Sequence, residues 1–284
     1  MLALYKYKLI NILTMKRNLL LLVAIFIAGS MSAQLYVGAN IGYGFGAQKY
    51  EVGFTQTDDA KENIWGSMGQ GLPLGVKVGY YFNDNLGFEL GINYWMGAEQ
   101  TAADVNMASS GYTNMVTAKS SQLRILPQLV YRSDMGIYGR FGMVIPVTGS
   151  TVVTSKEVMP TVAGPMTTEA EVQYKGSFAV GFAGAFGYAY AINDNMNLFG
   201  ELEYISLTIK GKTSEVTKYS VNGADQLSAM TTIQKETNYI DKLDASSNNG
   251  SYNNTPDAAK AQDKLRTSTV YSSLRFNVGI TMAF

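Results

Sequence analysis

From residue 35 onward, this chain repeatedly alternates large apolar side chains with small or polar ones. In the segment 86–96 every second residue is large and apolar, and the residues between them include Glu89 and Asn93. Successive side chains of a β-strand point to opposite faces, so a period of two predicts strands with one apolar and one polar face. The pattern predicts an all-β chain of eight strands, at 35–47, 72–82, 86–96, 119–132, 136–147, 173–192, 196–210 and 268–284.

The connections between these segments alternate in length. Three are tight turns, at 83–85, 133–135 and 193–195, and two of them read Asn-Asp-Asn. Asn and Asp favour such turns because they tolerate left-handed backbone and hydrogen-bond their own chain. The remaining connections are long, at about 48–71, 99–118, 148–172 and 211–267. Short turns at one rim and long loops at the other predict an antiparallel up-and-down β-barrel.

The charged residues of the strands lie on the face opposite the large apolar side chains. We expect them to line a small polar lumen as an ion-paired network while the apolar face contacts lipid. The alternative is a soluble sandwich or lipocalin-like barrel, with its apolar face inward and these charges in water. The seven candidates are Lys77, Glu89, Arg124, Arg140, Glu201, Glu203 and Arg275.

The N-terminus has the organisation of an export signal. A basic pair, Lys16–Arg17, follows Met15, the expected start; residues 19–28 are apolar, and small residues precede Gln34. This pattern predicts a secretory signal peptide over 1–33. The alternative is a transmembrane anchor, but the apolar run 19–28 is shorter than the roughly 20 apolar residues that an anchor needs. The first 34 residues hold four of the 22 basic residues and no acid, so the remainder has a net charge of −4. Without a basic face, no nucleic-acid partner is expected.

The last strand alternates to the final residue and ends on Phe284. In this respect the chain from 35 to 284 resembles the porin-like outer-membrane β-barrels of OmpA/OmpX type from Gram-negative bacteria. The resemblance implies outer-membrane lipid as the surroundings and a barrel-assembly machinery that reads Phe284 as an assembly signal. An even number of strands places both termini at the short-turn rim, which is the periplasmic side of such a barrel. The chain ends at the barrel, so no periplasmic peptidoglycan-binding domain is expected.

The sequence contains few residues of the kinds used in catalysis or metal binding. There is no histidine and no cysteine, which removes the usual general base, disulfides and thiolate metal sites. Glu201 and Glu203 could form a carboxylate pair for hydrolysis, but lumen counter-ions for Arg140 or Arg275 are the better interpretation. The Asn-Asp-Asn turns lack the spacing of a calcium loop. We therefore expect no enzyme, cofactor or metal.

Smaller features lead to further expectations. Pro127 and Pro146 lie inside predicted strands, so each should lie at a bulge or near a rim. The apolar parity changes near 205–206, which predicts a bulge there. Thr255 and Pro256 predict a capped helix over 258–265. Aromatic residues near strand ends are expected to form interfacial girdles: Tyr36, Tyr80, Tyr81, Phe82, Tyr94, Tyr131, Tyr188, Tyr190 and Phe284.

The sequence favours a structural or surface-exposed outer-membrane barrel with at most weak pore activity. Eight strands enclose an interior that side chains can fill, which argues against free diffusion through it. Two alternatives remain open at this point. One is a porin or transporter for small solutes, and the other is an adhesin or receptor that acts through the long loops.

Overall fold

The computed structural model describes residues 35–48 and 50–284, and nearly all of their regular structure is β. The predicted signal peptide lies outside this part of the chain. Besides the strands, the described residues contain a single 3-10 turn at Leu227–Ala229 and one helical turn at Thr232–Lys235. The seventeen strands are β1 (Leu35–Gly46), β2 (Tyr50–Thr57), β3 (Lys61–Gly66), β4 (Gly71–Tyr81), β5 (Leu86–Gly97), β6 (Gln100–Met107), β7 (Tyr112–Arg132), β8 (Ile137–Thr161), β9 (Gly164–Gly176), β10 (Gly181–Ala191), β11 (Met196–Ser206), β12 (Thr208–Val221), β13 (Ala224–Asp225), β14 (Glu236–Ile240), β15 (Gln262–Leu265), β16 (Ser268–Val270) and β17 (Ser273–Ala283).

Antiparallel pairing carries the sheet around a closed ring. β1 pairs with β4, β4 with β5, β5 with β7 and β7 with β8. β8 then pairs with β10, β10 with β11, β11 with β17, and β17 with β1. Closure gives the backbone of each ring strand a partner on both sides, which removes exposed sheet edges.

Most of the remaining strands lie wholly or partly in the connections that the sequence analysis treated as loops. β2 and β3 lie within 48–71, β6 lies within 99–118, β13 to β15 lie within 211–267, and most of β12 lies there too. β7 and β8 also continue far beyond the ring, and β8 pairs with β9 as a long hairpin. The described residues therefore form seventeen strands and not eight, because the ladders extend past the point where the apolar alternation fades; the closed ring alone contains eight.

The two faces of the ring differ in chemistry. Outward side chains are large and apolar; Phe276 is 54% exposed, whereas its neighbour Arg275 is fully buried. This apolar-out, polar-in alternation is typical of a barrel that faces lipid. No helix in the described part of the chain is long and apolar enough to cross a bilayer.

Both prolines lie at irregular positions of the β7–β8 ladder, but the predicted bulge is found only at Pro146. Next to Pro146 the register shifts by one residue between Leu123 and Arg124, which is a bulge. At Pro127 the pairing with β8 is interrupted without a change of register. The missing proline N–H explains why each lies where the ladder does not need a donor.

The bulge predicted near 205–206 is wrong. Burial alternates without a break from Glu201 to Lys210, and β12 continues the register that β11 holds with the C-terminal strand. The apolar residues simply move to the inner face, where Ile205, Leu207 and Ile209 join a buried apolar cluster. The change of parity in the sequence therefore reflects apolar side chains on the inner face of the barrel and not an irregularity of the backbone.

The helix predicted over 258–265 is also wrong. Part of that segment is β15, which pairs in parallel with β14. The side chain of Asn248 donates to the carbonyls of Asp257 and Ala261, each at 3.0 Å, and accepts from the N–H of Asp257 at 2.7 Å. These side-chain bonds occupy backbone groups that a helix would need.

Candidate functional site in the barrel interior

The barrel has a turn end and a loop end. The turn end holds the tight turns 83–85, 133–135 and 193–195 together with Leu35 and Phe284, and the loop end holds the long connections. Asn83 Oδ1 accepts from the backbone N–H of Asn85 at 3.0 Å and of Leu86 at 2.7 Å. Asn193 does the same in its own turn. Local side-chain bonds therefore define these turns, and the turns define the hairpin registers.

The hairpin registers follow from the positions of the turns. Lys77 lies opposite Gly91, and Glu89 lies opposite Gly79. In the β10–β11 hairpin, Glu201 lies opposite Gly187 and Glu203 lies opposite Ala185. The small residue beside each charge leaves room in the lumen for a side chain from another strand.

All seven candidate charges lie inside the barrel. Their relative exposures range from 0% for Arg124 and Arg275 to 9% for Arg140. Such burial is expensive for charged groups unless they are paired and hydrogen-bonded.

Arg140 is the centre of the pairing. Its Nη1 donates to Glu89 and its Nη2 donates to Glu201, while Glu203 lies 3.7 Å from Nη2. The ammonium of Lys77 reaches the second oxygen of Glu89 at 3.2 Å. We call these five residues, Lys77, Glu89, Arg140, Glu201 and Glu203, the ion-paired layer.

Neutral donors and acceptors complete this layer, and the sequence analysis did not identify them. Tyr36 donates to Glu89 and Tyr138 donates to Glu201, each at 2.7 Å. Gln128 accepts from Arg140 at 3.0 Å, and Asn277 donates to Glu201 at the same distance. Strand parity was the available signal, since Tyr36 shares the glycine-rich face of β1. Its predicted place in an aromatic girdle is wrong.

A second group of buried side chains lies toward the loop end. The guanidinium carbons of Arg275 and Arg124 lie 4.4 and 4.9 Å from the ring centre of Trp95, within the range of cation–π attraction. Trp95 is fully buried and was also missed, although it continues the inner parity of Glu89 and Asn93. We call Trp95, Arg124 and Arg275 the tryptophan layer.

The two arginines of the tryptophan layer differ in their partners. Arg275 reaches Glu203 at 3.5 Å and so connects the two layers. Arg124 has no carboxylate within ion-pair distance among the described residues; its Nε donates to Gln122 at 2.9 Å, and Nη1 and Nη2 have no acceptor. The structure thus brings Arg124 into the interior but not into the predicted ion network.

The free space inside the barrel is unevenly distributed. Beside the ion-paired layer, two voids measure only about 40 and 20 Å³. At the loop end, a much larger cavity of about 440 Å³ lies against the buried side chains of Met68, Ala118 and Tyr271. The interior is therefore filled with charge toward the turn end and open toward the loop end.

A closed antiparallel ring with an apolar outside and a charged, hydrogen-bonded inside defines an integral outer-membrane β-barrel. The chain belongs to the family defined by the outer membrane protein beta-barrel domain, whose sequence profile matches residues 19–239. No curated protein matches the chain significantly in sequence.

Several solved outer-membrane proteins are similar to this chain over most of their length. OprG from Pseudomonas aeruginosa is 12% identical, with 89% of this chain and 96% of that chain covered and a TM-score of 0.42. Ail of Yersinia pestis, in complex with the heparin analogue sucrose octasulfate, is 8% identical, with 89% and 100% covered and a TM-score of 0.35. Neisserial surface protein A is 10% identical, with 88% and 97% covered and a TM-score of 0.32.

Proposed function

We propose that this protein is a structural or surface-exposed barrel of the Gram-negative outer membrane, whose lumen is sealed by the ion-paired layer. The eight ring strands cross the lipid, and the loop end extends from the cell surface as a β-rich extension. The pairing of Arg140 with Glu89 and Glu201 at the centre of the lumen is the observation that carries this proposal. In this role the protein needs no cofactor, no nucleic acid and no catalytic residue.

Two features support an orientation with both chain ends in the periplasm. Short turns at one end and long connections at the other are the usual asymmetry of such barrels. Phe284 is exposed beside the first ring strand, and its backbone N–H donates to the carbonyl of Leu35 at 2.9 Å. An exposed terminal aromatic residue on the closing strand is available to the barrel-assembly machinery.

The dimensions of the lumen argue against the porin alternative. A water molecule needs a space of roughly 10–15 Å³ on the scale used for small cavities. Voids of about 40 and 20 Å³ beside the ion-paired layer can hold only a few waters each. Separate small voids do not make a continuous aqueous path, so ions and solutes should not cross the resting barrel.

Fractionation and current recording test this proposal together. The mature protein should be found in the outer-membrane fraction and migrate faster on a gel before boiling than after it. In a planar bilayer the wild-type protein should give no steady current. Recovery of the protein as a soluble native species would contradict the proposed role as a membrane barrel. Steady conductance of the wild-type protein would favour the small-solute porin instead.

A second candidate function is recognition through the loop end. The β8–β9 hairpin continues beyond the ring to a charge-free tip, where Pro160 pairs with Pro165 and Val162 is fully exposed. A rigid projecting hairpin suits contact with another surface. The tip can be tested by replacing 159–166 with an Asn-Gly turn and measuring binding to cells or matrix. This replacement is cleaner than deleting 211–267, because β12 supports β9.

A further inference from the structure

The loop-end cavity is walled by side chains that the ion-paired layer does not use. Its volume of about 440 Å³ lies in the range of small-molecule binding sites. Met68, Ala118 and Tyr271 line it and also belong to the buried apolar cluster of the lumen. An uncharged, apolar part of a ligand would therefore find matching surface there.

The charges around this cavity are all of one sign. Lys175 and Lys210, whose side chains are largely exposed, border it, and no acid is found among the described residues that line it. Burial, followed by the neighbouring Tyr239, raises the pKa of Tyr174 to about 12, so this phenol in the wall stays neutral. Gln122, also in the wall, accepts from Arg124, whose Nη1 and Nη2 have no acceptor in the described part of the chain. The cavity therefore favours a negatively charged group.

The barrel wall is interrupted beside the cavity. β8 pairs with β10 as far as Val144 and pairs with β9 only from Thr151 onward. The intervening stretch 145–150 faces the strand-free segment 177–180, where Phe178 is 79% exposed. Residues from both stretches line the cavity, so it adjoins a gap in the wall as well as the open loop end.

From the apolar lining, the uncompensated cations and the gap in the wall, we propose that this cavity binds an amphipathic organic anion. Its apolar chain packs on Met68, Ala118 and Tyr271, and its acid group pairs with Lys175 and Lys210. The ligand is either a free aliphatic acid or an anionic amphiphile of the surrounding membrane; both present the same chemistry to the site. This site lies outside the ion-paired layer and does not depend on whether that layer seals the lumen.

Trp95 provides a direct probe of this site. The chain has two tryptophans, and Trp65 is exposed in the loop-end extension, so Trp65→Phe leaves Trp95 as the only one. Trp95 is the cross-strand partner of Gln122, which lines the cavity. A brominated alkyl chain quenches tryptophan emission at short range, so 8-bromooctanoate added to the protein in nanodiscs should quench Trp95 saturably.

Matched ligands and variants separate anion recognition from simple partitioning. The neutral 8-bromooctan-1-ol should bind about tenfold more weakly than the acid. Lys175→Gln with Lys210→Gln should weaken binding of the acid by about the same factor and leave binding of the alcohol unchanged. Lys212→Gln with Lys218→Gln removes the same charge from β12 outside the cavity and should have no effect. Ala118→Phe, which fills the cavity, should abolish the saturable quenching of both ligands.

The source of the ligand is tested separately with nanodiscs of brominated phospholipid and no added acid. Quenching of Trp95 that Ala118→Phe removes would identify a membrane amphiphile, whereas quenching by the soluble acid alone would identify a free one. Three results would overturn the proposal. They are no saturable quenching in either experiment, equal affinity for the acid and the alcohol, or an equal loss of affinity for the acid in the Lys175/Lys210 and Lys212/Lys218 double variants. Each can occur whether or not the barrel conducts ions, so this proposal and the sealed lumen fail independently.

Discussion

The two halves of the lumen are built on the same strands but have opposite contents. Toward the turn end, inward positions carry Lys77, Glu89, Arg140 and Glu201, which pair with one another. Toward the loop end, the inward positions along β11 and β12 are occupied by Ile205, Leu207 and Ile209, beside a cavity. Strand alternation thus determines which side chains point inward, while the chemistry of those side chains determines whether the space is filled or open.

The largest loss of stability is expected when the ion-paired layer loses the guanidinium of Arg140. Arg140→Met should lower the free energy of unfolding by about 3–5 kcal/mol, because it leaves buried carboxylates without their cation. Urea titration of the refolded protein in lipid vesicles measures this loss. Lys156→Met is the control, since its ion pair with Glu169 is exposed and should contribute at most about 1 kcal/mol. Similar losses in both variants would contradict the distinction between buried and exposed charges.

A slightly smaller effect is expected on the outer face of the same strands. Leu90→Arg should cost about 2–4 kcal/mol, because Leu90 is an exposed apolar residue near the middle of β5. Leu72→Arg, near the loop end of β4, should cost about 0–1 kcal/mol, because an arginine there can reach the membrane interface. Unfolding titrations in bilayers of different thickness measure both, and equal costs at every thickness would refute the lipid-facing assignment.

A double-mutant cycle tests which charges act as a unit. Arg140→Ala and Glu201→Ala together should destabilise less than the sum of the single changes, by about 0.5–3 kcal/mol, because these side chains pair directly. Arg275→Ala with Glu201→Ala should be closer to additive, since Arg275 pairs with Glu203. If both cycles gave the same coupling, the pairing described for the lumen would be incorrect.

The smallest effect concerns the loop-end extension, where charges lie in water. A hydrogen bond from Lys218, followed by one from Thr217, lowers the pKa of the Glu171 carboxyl. Lys218→Met should therefore raise the pKa of Glu171 toward its ordinary value. A carboxyl whose pKa is lower in the folded state than in the unfolded state stabilises the fold at pH values above its unfolded-state pKa. That stabilisation is lost as the pH falls through the folded-state pKa. The carboxyl carbon shift followed by NMR across pH measures the change, and no movement would show that Thr217 alone holds the carboxylate.

The features that could be predicted from sequence are those determined locally. A period of two identified the inward charges, and the Asn-Asp-Asn turns determined that Lys77 lies opposite Gly91 and Glu201 opposite Gly187. Partner choice across the lumen was not local, so nothing in the sequence shows that Arg140 rather than Arg124 meets the carboxylates. The same holds for the loop-end strands, which depend on pairing between distant segments.

Aromatic residues were the main source of error on the inner face. Tyr36 was assigned to an interfacial girdle from its place at a strand end, yet its parity matches Gly38 and Asn40, and it binds Glu89. Trp95 received no role from the sequence, although its parity matches Glu89 and Asn93. Parity counted through every residue of a strand, without regard to side-chain type, would have identified both.

The sealed lumen is tested most directly by single-channel recording of the wild-type protein beside Arg140→Ala. If the ion-paired layer closes the barrel, the wild type gives no steady current, and removal of the central guanidinium produces measurable conductance in folded, heat-modifiable protein. A wild type that already conducts steadily, with the same current in Arg140→Ala, would contradict the account.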